Sequence, residues 1–431
     1  MLVHAIRHQE RAAIGALSFL QNLLEKHRKC PFAVRLWEGT TWSPTPELRP
    51  RFTLVLKHPG ALRRMFLPPN QLTLGEAYIY DDFDLEGDLE AAFSLVDYIL
   101  EQRPSLFENL RRALYLLSLP AQERPGSLRR PARLRGAVHS AGRDSLAVTY
   151  HYNVSNDFYR LWLDQQMVYS CAYFSAPDET LEAAQERKLD YLCRKLRLKK
   201  GDRLLDIGCG WGGLIIHAAR HYGVEAHGIT LSRPQAELAN QRIRELGLGD
   251  RCRAEVCDYR EVAETSRYDK LVSVGMFEHV GESRLGDYFA KAWRLLRPGG
   301  AFLNHGIAST LAQPLQEGPS FINRYVFPDG ECLPIATTLR TAEGCGFEIR
   351  DVESLREHYA MTLRRWVRRL EGRREQILRF TDEVTYRVWR IYMAGSAYGF
   401  GVGRLNLYQT LLVRPENGDS GLPLSRADWY A

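Results

Sequence analysis

The hydrophobic pattern changes character once along the chain. In the first part, helical spacing of apolar residues over Arg7–Glu25 is followed by extended segments at 32–42 and 51–59. The first of these alternates around a turn at Gly39, as a β-hairpin does. Helical spacing returns from Leu89 to Ile99. These elements predict a smaller α+β domain at the N-terminus.

In the second part, short buried-strand patterns alternate with helical ones. This alternation predicts a doubly wound α/β domain with a parallel sheet. Two long helical patterns, 361–379 and 382–400, form a helical insertion before the last strand. The predicted strands are 203–208, 224–230, 251–258, 268–275, 300–307, 347–355 and 405–414.

The segment between these parts, 124–144, is rich in Arg, Pro and Gly and poor in apolar residues. It predicts a linker, so that the domains are 1–123, the basic linker 124–144, and 145–431. A flexible tether and a contact of its arginines with anionic lipid are both compatible with this composition.

Charge and cysteine content narrow the function only slightly. The 431-residue chain has a net charge of +6, which permits an anionic partner such as nucleic acid or an acidic membrane surface. Its eight cysteines form no CxxC pair or zinc-type spacing, so we predict no metal site and a reducing cytoplasm. We see no secretory signal and no apolar run of about 20 residues that would span a bilayer.

The sharpest motif is LLDIGCGWGG at 204–213, between the first strand and first helix of the second domain. Its glycines, Gly208, Gly210 and Gly212, permit a tight turn and a close approach of the backbone to a ligand. The motif has no Walker lysine, which argues against a nucleoside triphosphate. It is similar to the S-adenosylmethionine loop of class I methyltransferases, in which Asp206 would orient the methionine part.

The end of the second strand departs from most of that class. There, an acidic residue usually holds the ribose, whereas HGITLSRPQ offers Thr230 and Gln235. One subfamily uses this pattern, and the rest of the domain resembles it.

The resemblance, over about 145–415, is to the cyclopropane-fatty-acyl-phospholipid synthase family and its mycolic-acid relatives. The motifs that carry it occur in one order: HYNVSNDFY, YSCAYF, LDIGCGWGG, GITLSRPQ, DYR, GMFEHVG, NHGI, NRYVFPDGECLP and YAMTLRRW. The resemblance implies methylene transfer from S-adenosylmethionine to the cis double bond of unsaturated phospholipid acyl chains. It implies cofactor contacts at Tyr169, Ser170, Asp206, Gly208, Gly210, Gly212, Thr230, Leu231, Ser232, Gln235, Asp258, Tyr259 and Arg260.

The family also implies a bound bicarbonate that takes a proton from the new methyl group, in a pocket that excludes water. Each matching side chain has an ordinary alternative when it is taken alone: a packed thiol, a helix cap, a core histidine or a packed ring. The implied ligands are Cys171, Glu278, His305, Ile307 through its backbone, and Tyr359.

One position departs from many phospholipid members, which carry a cysteine where this chain has Ser396. Since the ionic mechanism needs no protein nucleophile, a covalent role there is not required.

Three other functions remain as alternatives. A close rival makes methylene- or methyl-branched chains. A non-catalytic lipid-binding protein would have lost the glycine loop or the glutamate. A nucleic-acid methyltransferase would carry a basic groove and an Asn-Pro-Pro-Tyr/Phe-type motif, which we do not find.

We therefore expect a cytoplasmic protein that lies peripherally on the inner face of the membrane. Its expected partner is a phospholipid bilayer with an anionic surface and unsaturated acyl chains, with no nucleic acid. Homodimerisation is expected from the resemblance alone.

Overall fold

The computed structural model describes residues 2–24, 26–27, 30–121, 132, 134–152, 154–264, 268–312 and 320–430. Residues 2–11 are described by their backbone alone. The chain forms two compact units that do not follow its linear order. The first comprises 1–131, 317–326 and 381–398, and the second comprises 132–316, 327–380 and 399–431. Residues 124–131 and 133 of the predicted linker lie outside the described residues, and its end, 141–144, is the first turn of a helix.

The first unit is a small α+β domain, as predicted. Its sheet has the order β2-β1-β3-β4. The predicted hairpin is confirmed by the antiparallel pairing of Val34 with Trp42, whereas β1 and β3 run parallel. Its elements before residue 120 are α1 (Leu2–Leu24), β1 (Phe32–Arg35), β2 (Thr41–Trp42), β3 (Phe52–Leu56), α2 (Ala61–Phe66), α3 (Gln71–Ile79), β4 (Phe83–Gly87), α4 (Leu89–Glu101) and α5 (Leu106–Ser118).

Two later segments complete this unit, α12 (Phe321–Tyr325) and most of α16 (Glu383–Gly401). On α16, the buried Arg387 donates hydrogen bonds to the carbonyl oxygens of Tyr78 at 2.8 Å and Phe83 at 2.7 Å. Its guanidinium also lies 3.2 Å from a carboxylate oxygen of Asp81. A helix from the last quarter of the sequence is thus fastened to the N-terminal sheet region.

The second unit is built on a seven-stranded sheet of order β10-β11-β9-β8-β5-β6-β7. The doubly wound α/β architecture is confirmed. Its elements are α6 (Ala141–Tyr152), α7 (Asn156–Arg160), α8 (Leu181–Leu196), β5 (Arg203–Ile207), α9 (Gly213–Tyr222), β6 (Glu225–Thr230), α10 (Arg233–Glu245), β7 (Cys252–Val256), β8 (Tyr268–Val274), α11 (Leu285–Leu295), β9 (Leu296–Ser309), α13 (Ile335–Gly344), β10 (Glu348–Ser354), α14 (Arg356–Gly372), α15 (Arg374–Ile377) and β11 (Leu405–Val413), with short 3₁₀ turns at Tyr259–Glu261, Phe277–His279, Glu282–Arg284 and Ala427–Trp429.

The sheet is covered on both faces because its strands alternate between two apolar clusters. Leu204 belongs to one cluster and Leu205 to the other, and Leu303 and Phe302 repeat the division on β9. This is the period of two expected of a strand that is buried on both sides. Helices α8 and α9 contribute to the first cluster, and α11 contributes to the second.

One strand departs from the predicted parallel arrangement. β11 runs antiparallel to both of its neighbours, β9 and β10. The reason is geometric, because Leu405 at the start of β11 lies opposite Ser309 at the end of β9. The helices between β10 and β11, called here the helical excursion, therefore return the chain to the edge of the sheet at which β10 ends. That edge is the carboxyl end of the parallel strands, where sites of such sheets gather.

Two predicted boundaries are wrong. The strand predicted over 300–307 begins earlier, because Pro298 and Gly299 also lie inside β9, where the Gly299 N–H donates to the Arg414 carbonyl and the Arg414 N–H donates to the Gly300 carbonyl. The helix predicted over 361–379 begins earlier, as α14, and is interrupted at Arg373 before the short α15.

No helix in the described part of the chain has the length and apolar character needed to cross a bilayer.

The Arg387 contacts generate a stability prediction. Replacing Arg387 by Ala should lower the free energy of unfolding by about 2–4 kcal/mol, since two buried carbonyl oxygens and a carboxylate lose their donor. Thermal or denaturant unfolding measures this. Arg284→Ala removes an exposed arginine that pairs only with its neighbour Asp287, and it should change stability by less than about 0.5 kcal/mol. Equal effects of the two variants would contradict the assigned role.

Candidate active site

The glycine loop after β5 is held by two hydrogen bonds to one carbonyl. The N–H groups of Gly208 and Cys209 both donate to the Ile229 carbonyl at 2.9 Å. Gly208 has φ +92°, and a Cβ there would lie 2.7 Å from the Cβ of Met276. Both the left-handed backbone and the close neighbour exclude a side chain, so glycine is required at this position.

The predicted cofactor residues converge on one cavity in the second unit. Gly212 and Ser232 are the exceptions. Gly212 starts α9 in the left-handed conformation, and Ser232 is at the N-cap position of α10 but makes no capping bond with its side chain. The cavity wall includes Tyr169, Ser170, Asp206, Gly208, Gly210, Thr230, Leu231, Gln235, Asp258, Tyr259 and Arg260.

The end of β6 presents no acid to this cavity. Thr230 Oγ1 donates to Gln235 Oε1 at 2.8 Å and accepts a hydrogen bond from the Ser232 N–H at 3.1 Å. A threonine and a glutamine, bonded to each other, therefore occupy the place where most methyltransferases have a carboxylate.

The wall formed by the loop after β7 is fixed by an ion-pair cluster. Arg260 donates to both carboxylate oxygens of Asp258, at 2.8 Å and 2.6 Å, and to Asp144 of α6 at 3.0 Å. These bonds raise the pKa of Arg260, chiefly through Asp258. The loop after β7 is thereby joined to α6, whose Asp144 and Tyr152 also line the cavity.

A buried lysine faces the predicted carboxylate. Lys188 of α8 is 1% exposed and donates from Nζ to Ser170 Oγ at 2.9 Å. Burial lowers the pKa of Lys188 to about 8, against the attraction of Asp164 and Asp206 among others. Burial raises the pKa of Asp206 to about 7, and Lys188 opposes that rise.

Asp206 is suited to hold a cationic part of a cofactor. Within the described residues, its buried Oδ1 has no hydrogen-bond partner. A carboxylate oxygen on the wall of a cavity, short of a donor, suits an ammonium group such as that of S-adenosylmethionine.

The five predicted catalytic residues, called here the second group, lie on segments that are joined by hydrogen bonds near the end of β9. Glu278 Oε1 accepts a hydrogen bond from the Ile307 N–H at 2.7 Å. Its other oxygen, Oε2, is buried and has no partner in the part of the chain that the structure describes. Burial raises the pKa of Glu278 to about 7, although the Ile307 bond favours the charged form.

Leu355 connects two further members of the group. Its carbonyl accepts a hydrogen bond from the Tyr359 N–H at 3.0 Å and a weak one from Cys171 Sγ at 3.9 Å. Its own N–H donates to Leu407, which pairs with Ile307 across β11 and β9. Burial raises the pKa of the Cys171 thiol, so it stays protonated.

His305 is held from the side by a glutamine. Gln409 Nε2 lies 3.2 Å from His305 Nδ1, so an amide donor there assigns the ring proton to Nε2. Nε2 is buried and has no partner among the described residues. Burial lowers the pKa of His305 well below its usual value, with Lys188 and Lys195 adding to the effect, so the ring is neutral.

The unpartnered atoms have the chemical character that bicarbonate requires of its ligands. A neutral imidazole N–H donates and a carboxylate oxygen accepts, so His305 Nε2 offers a donor and Glu278 Oε2 offers an acceptor. The Ile307 N–H, by contrast, already donates to Glu278.

A family model, "Mycolic acid cyclopropane synthetase", matches residues 139–410. The chain belongs to this family. A second model, a domain of unknown function, matches residues 19–110 in the first unit.

Among curated relatives, a "Probable fatty acid methyltransferase" of Pseudomonas putida is 42% identical and covers 93% of this chain and 96% of its own length. The "Cyclopropane-fatty-acyl-phospholipid synthase" of Escherichia coli K12 is 34% identical and covers 84% of this chain and 88% of its own.

Solved structures agree for the second unit. The cyclopropane synthase MmaA2 from Mycobacterium tuberculosis aligns with TM-score 0.60 and 34% identity, over 62% of this chain and 97% of that one. The mycolic acid cyclopropane synthase CmaA1, complexed with SAH and CTAB, aligns with TM-score 0.59 and 33% identity over the same shares. The chain has the fold of S-adenosylmethionine-dependent methyltransferases.

Some residues of this family member's site were missed by sequence reasoning. Lys188 and Gln409 carry a recognisable signal, since each is a polar residue in an otherwise apolar stripe, on α8 and β11 respectively. Tyr152 and Trp211, which line the cavity, carry no signal beyond their motifs. Ser396 lies on α16 in a segment assigned to the first unit.

The loop geometry predicts the effect of a single methyl group. Gly208→Ala should weaken S-adenosylmethionine binding by about tenfold or more, because the added Cβ is strained at positive φ and meets Met276. Isothermal titration calorimetry measures this. Gly210→Ala, at φ +53° with no atom within 4 Å, should lose several-fold less affinity. A larger loss of affinity in Gly210→Ala than in Gly208→Ala would contradict the assigned requirement for glycine at 208.

The buried carboxyl of Glu278 predicts a pH-dependent stability difference. Because its folded pKa is about 7 against 4.5 in the unfolded chain, the folded state holds more protons between these values and its stability falls as pH rises. Glu278→Gln should therefore gain stability over wild type above about pH 7, by an amount on the order of 3 kcal/mol, and lose that advantage below about pH 4.5.

Thermal unfolding across this pH range tests the difference, with the exposed Glu237→Gln as the matched control. If Glu278→Gln were no more stable than wild type at high pH, burial would not be destabilising the charged form of the Glu278 carboxyl.

Proposed function

We propose that this protein is a cyclopropane synthase that transfers a methylene group from S-adenosylmethionine to the cis double bond of unsaturated phospholipid acyl chains. The observation that carries the proposal is a pair of buried, unpartnered polar atoms, Glu278 Oε2 and His305 Nε2, within the second group. The family membership and the complete set of predicted ligand residues support it.

The cofactor supplies an electrophilic methyl group when it is bound. On the protein side, Asp206 offers a carboxylate oxygen to its cationic amino-acid part, and Lys188 fixes the Tyr169–Ser170 backbone through Ser170 Oγ. Thr230 and Gln235 provide neutral polar groups for the ribose side.

The acyl chain undergoes alkylation followed by proton loss. Its double bond takes up the methyl group and becomes a secondary carbocation, and loss of a proton from that methyl closes the ring. The net gain is one CH₂. Water would trap the cation as an alcohol, so the neutral Cys171 thiol and the neutral His305 ring suit a site that must hold little water.

A bicarbonate ion in this group supplies a base where no side chain is placed to act as one. His305 Nε2 would donate to it and Glu278 Oε2 would accept its hydroxyl proton. The Tyr359 hydroxyl is a further donor within the group, whereas the Cys171 thiol would have to leave its carbonyl acceptors and the Ile307 N–H would have to be shared with Glu278.

The substrate sets the location that we propose. Acyl double bonds lie inside a bilayer, so the enzyme docks peripherally on a membrane, on the cytoplasmic inner face and with preference for an anionic surface. The net charge of +6 supports this preference. Assembly as a homodimer is part of the same proposal.

A second product class is favoured by a specific observation. The Pseudomonas putida relative at 42% identity carries the name of a fatty acid methyltransferase. In this alternative, the cation shifts a hydride before it loses a proton from the methyl, which gives a methylene branch. A saturated methyl branch needs a hydride donor in addition.

Product analysis separates these functions. Purified protein is incubated with trideuteromethyl S-adenosylmethionine and monounsaturated phospholipid vesicles, and the fatty acids are examined by mass spectrometry and NMR. We expect a cyclopropane ring that retains two deuterium atoms. An acyl chain with a methylene branch, or one with a saturated methyl branch, would contradict cyclopropane formation and support the fatty acid methyltransferase alternative.

Glu278→Gln tests the proposed site in the same assay. Turnover should fall by about 100-fold or more, because a ligand of the proposed bicarbonate base is removed, while affinity for S-adenosylmethionine changes by less than about threefold. Glu264→Gln, an exposed carboxylate paired with Arg294, is the control and should keep full turnover. Unchanged turnover in Glu278→Gln would remove the site from the reaction.

A further inference from the structure

Helix α5 of the first unit carries an exposed apolar stripe. Leu106, Phe107, Leu110, Leu114 and Leu117 are 89%, 75%, 59%, 61% and 51% exposed. At 100° per residue they fall within a sector of about 100°, which is the width of an apolar face that normally meets a core. Other large exposed apolar residues are scattered, with Leu48, Leu246 and Leu424 as examples.

The opposite side of α5 is anchored, so the helix does not depend on a partner for its shape. Leu116 is buried, and the Tyr115 ring stacks on Phe19 of α1 with 5.4 Å between centroids. A capping box closes its first turn, in which Ser105 and Glu108 bond to each other's backbone N–H. Arg63 donates to the Leu117 and Leu119 carbonyls at its last turn.

The charges around the stripe favour a lipid surface. Arg103 precedes the helix and Arg111 lies at the edge of the stripe, and both are exposed. Within the stripe there is no charged side chain. A helix that lies in the interface of an anionic bilayer has this arrangement, with apolar side chains in the middle of its face and arginines at the margin.

The length of the helix also suits this orientation. Thirteen residues span about 20 Å, too short to cross a hydrocarbon core of about 30 Å and sufficient to lie in its plane.

We propose that α5 is the membrane-docking element of this protein, and that its five-residue apolar stripe inserts into the interface of an anionic phospholipid bilayer. This inference rests on the proposed function, because a bilayer is the partner that a phospholipid-modifying enzyme must approach. A second copy of the chain is the competing occupant of the stripe.

The test uses the full-length protein with Leu110→Gln and Leu114→Gln combined. Glutamine keeps helix propensity and removes apolar area from the centre of the stripe. The matched control combines Leu48→Gln and Leu424→Gln, two exposed leucines of the loops. Three quantities are measured: partitioning onto vesicles of monounsaturated phosphatidylglycerol, mass by light scattering, and methyl transfer to the same lipid in vesicles and in detergent micelles.

We expect the stripe variant to partition onto vesicles about tenfold or more weakly than wild type and to lose vesicle activity in proportion. Its melting temperature and its activity on micellar lipid should match those of the control variant, which should bind vesicles like wild type.

Vesicle binding by the stripe variant equal to that of wild type would overturn the inference. So would a wild-type dimer that becomes a monomer in the variant with vesicle binding intact, because the stripe would then be an interface between copies. If wild type modified lipid in neither form while the stripe variant still lost vesicle binding, the proposed function would fail and the docking element would stand.

Discussion

The structure of the site depends on keeping one carboxyl group away from water. Glu278 is placed by a 3₁₀ turn after β8, and its only described side-chain partner is the Ile307 N–H on β9. The neighbouring strand β11 then supplies Gln409, which orients the ring of His305. Desolvation thus acts on the acid, the imidazole and the Cys171 thiol together, and it holds all three close to neutrality.

Topology explains why so many separate segments meet there. β10 ends at the carboxyl edge of the sheet, the helical excursion of α14 to α16 begins and ends at that edge, and β11 returns antiparallel. Tyr359 lies on α14, the first helix of this excursion. Leu355, just before α14, is hydrogen-bonded both to Leu407 of β11 and to Cys171. Part of the same excursion, α16, belongs to the first compact unit, so one continuous helix contributes to both units.

The alternation of strands and helices was sufficient to predict the α/β class. The roles of the residues that the motifs indicate stay predictions, although most of the predicted cofactor residues line one cavity. Contacts between distant segments left no local pattern. Two examples are the hydrogen bonds of Arg387 with Tyr78 and Phe83 and the pairing of Gly299 and Gly300 with Arg414. Helix α5 was also missed, although the Ser105–Glu108 capping box and the helical spacing of its leucines can both be read from the sequence. The buried Lys188 would have been found by asking which charged residues interrupt an apolar stripe.

The most direct test of this account is the ionisation of Glu278 itself. Infrared difference spectra between wild type and Glu278→Gln, recorded along a pH titration, isolate the carbonyl band of the protonated side chain. The account predicts that this band is present in mildly acidic solution and disappears with a midpoint near pH 7. A midpoint near 4.5, the ordinary value for glutamate, would show that the carboxyl is solvated and would contradict a dry site.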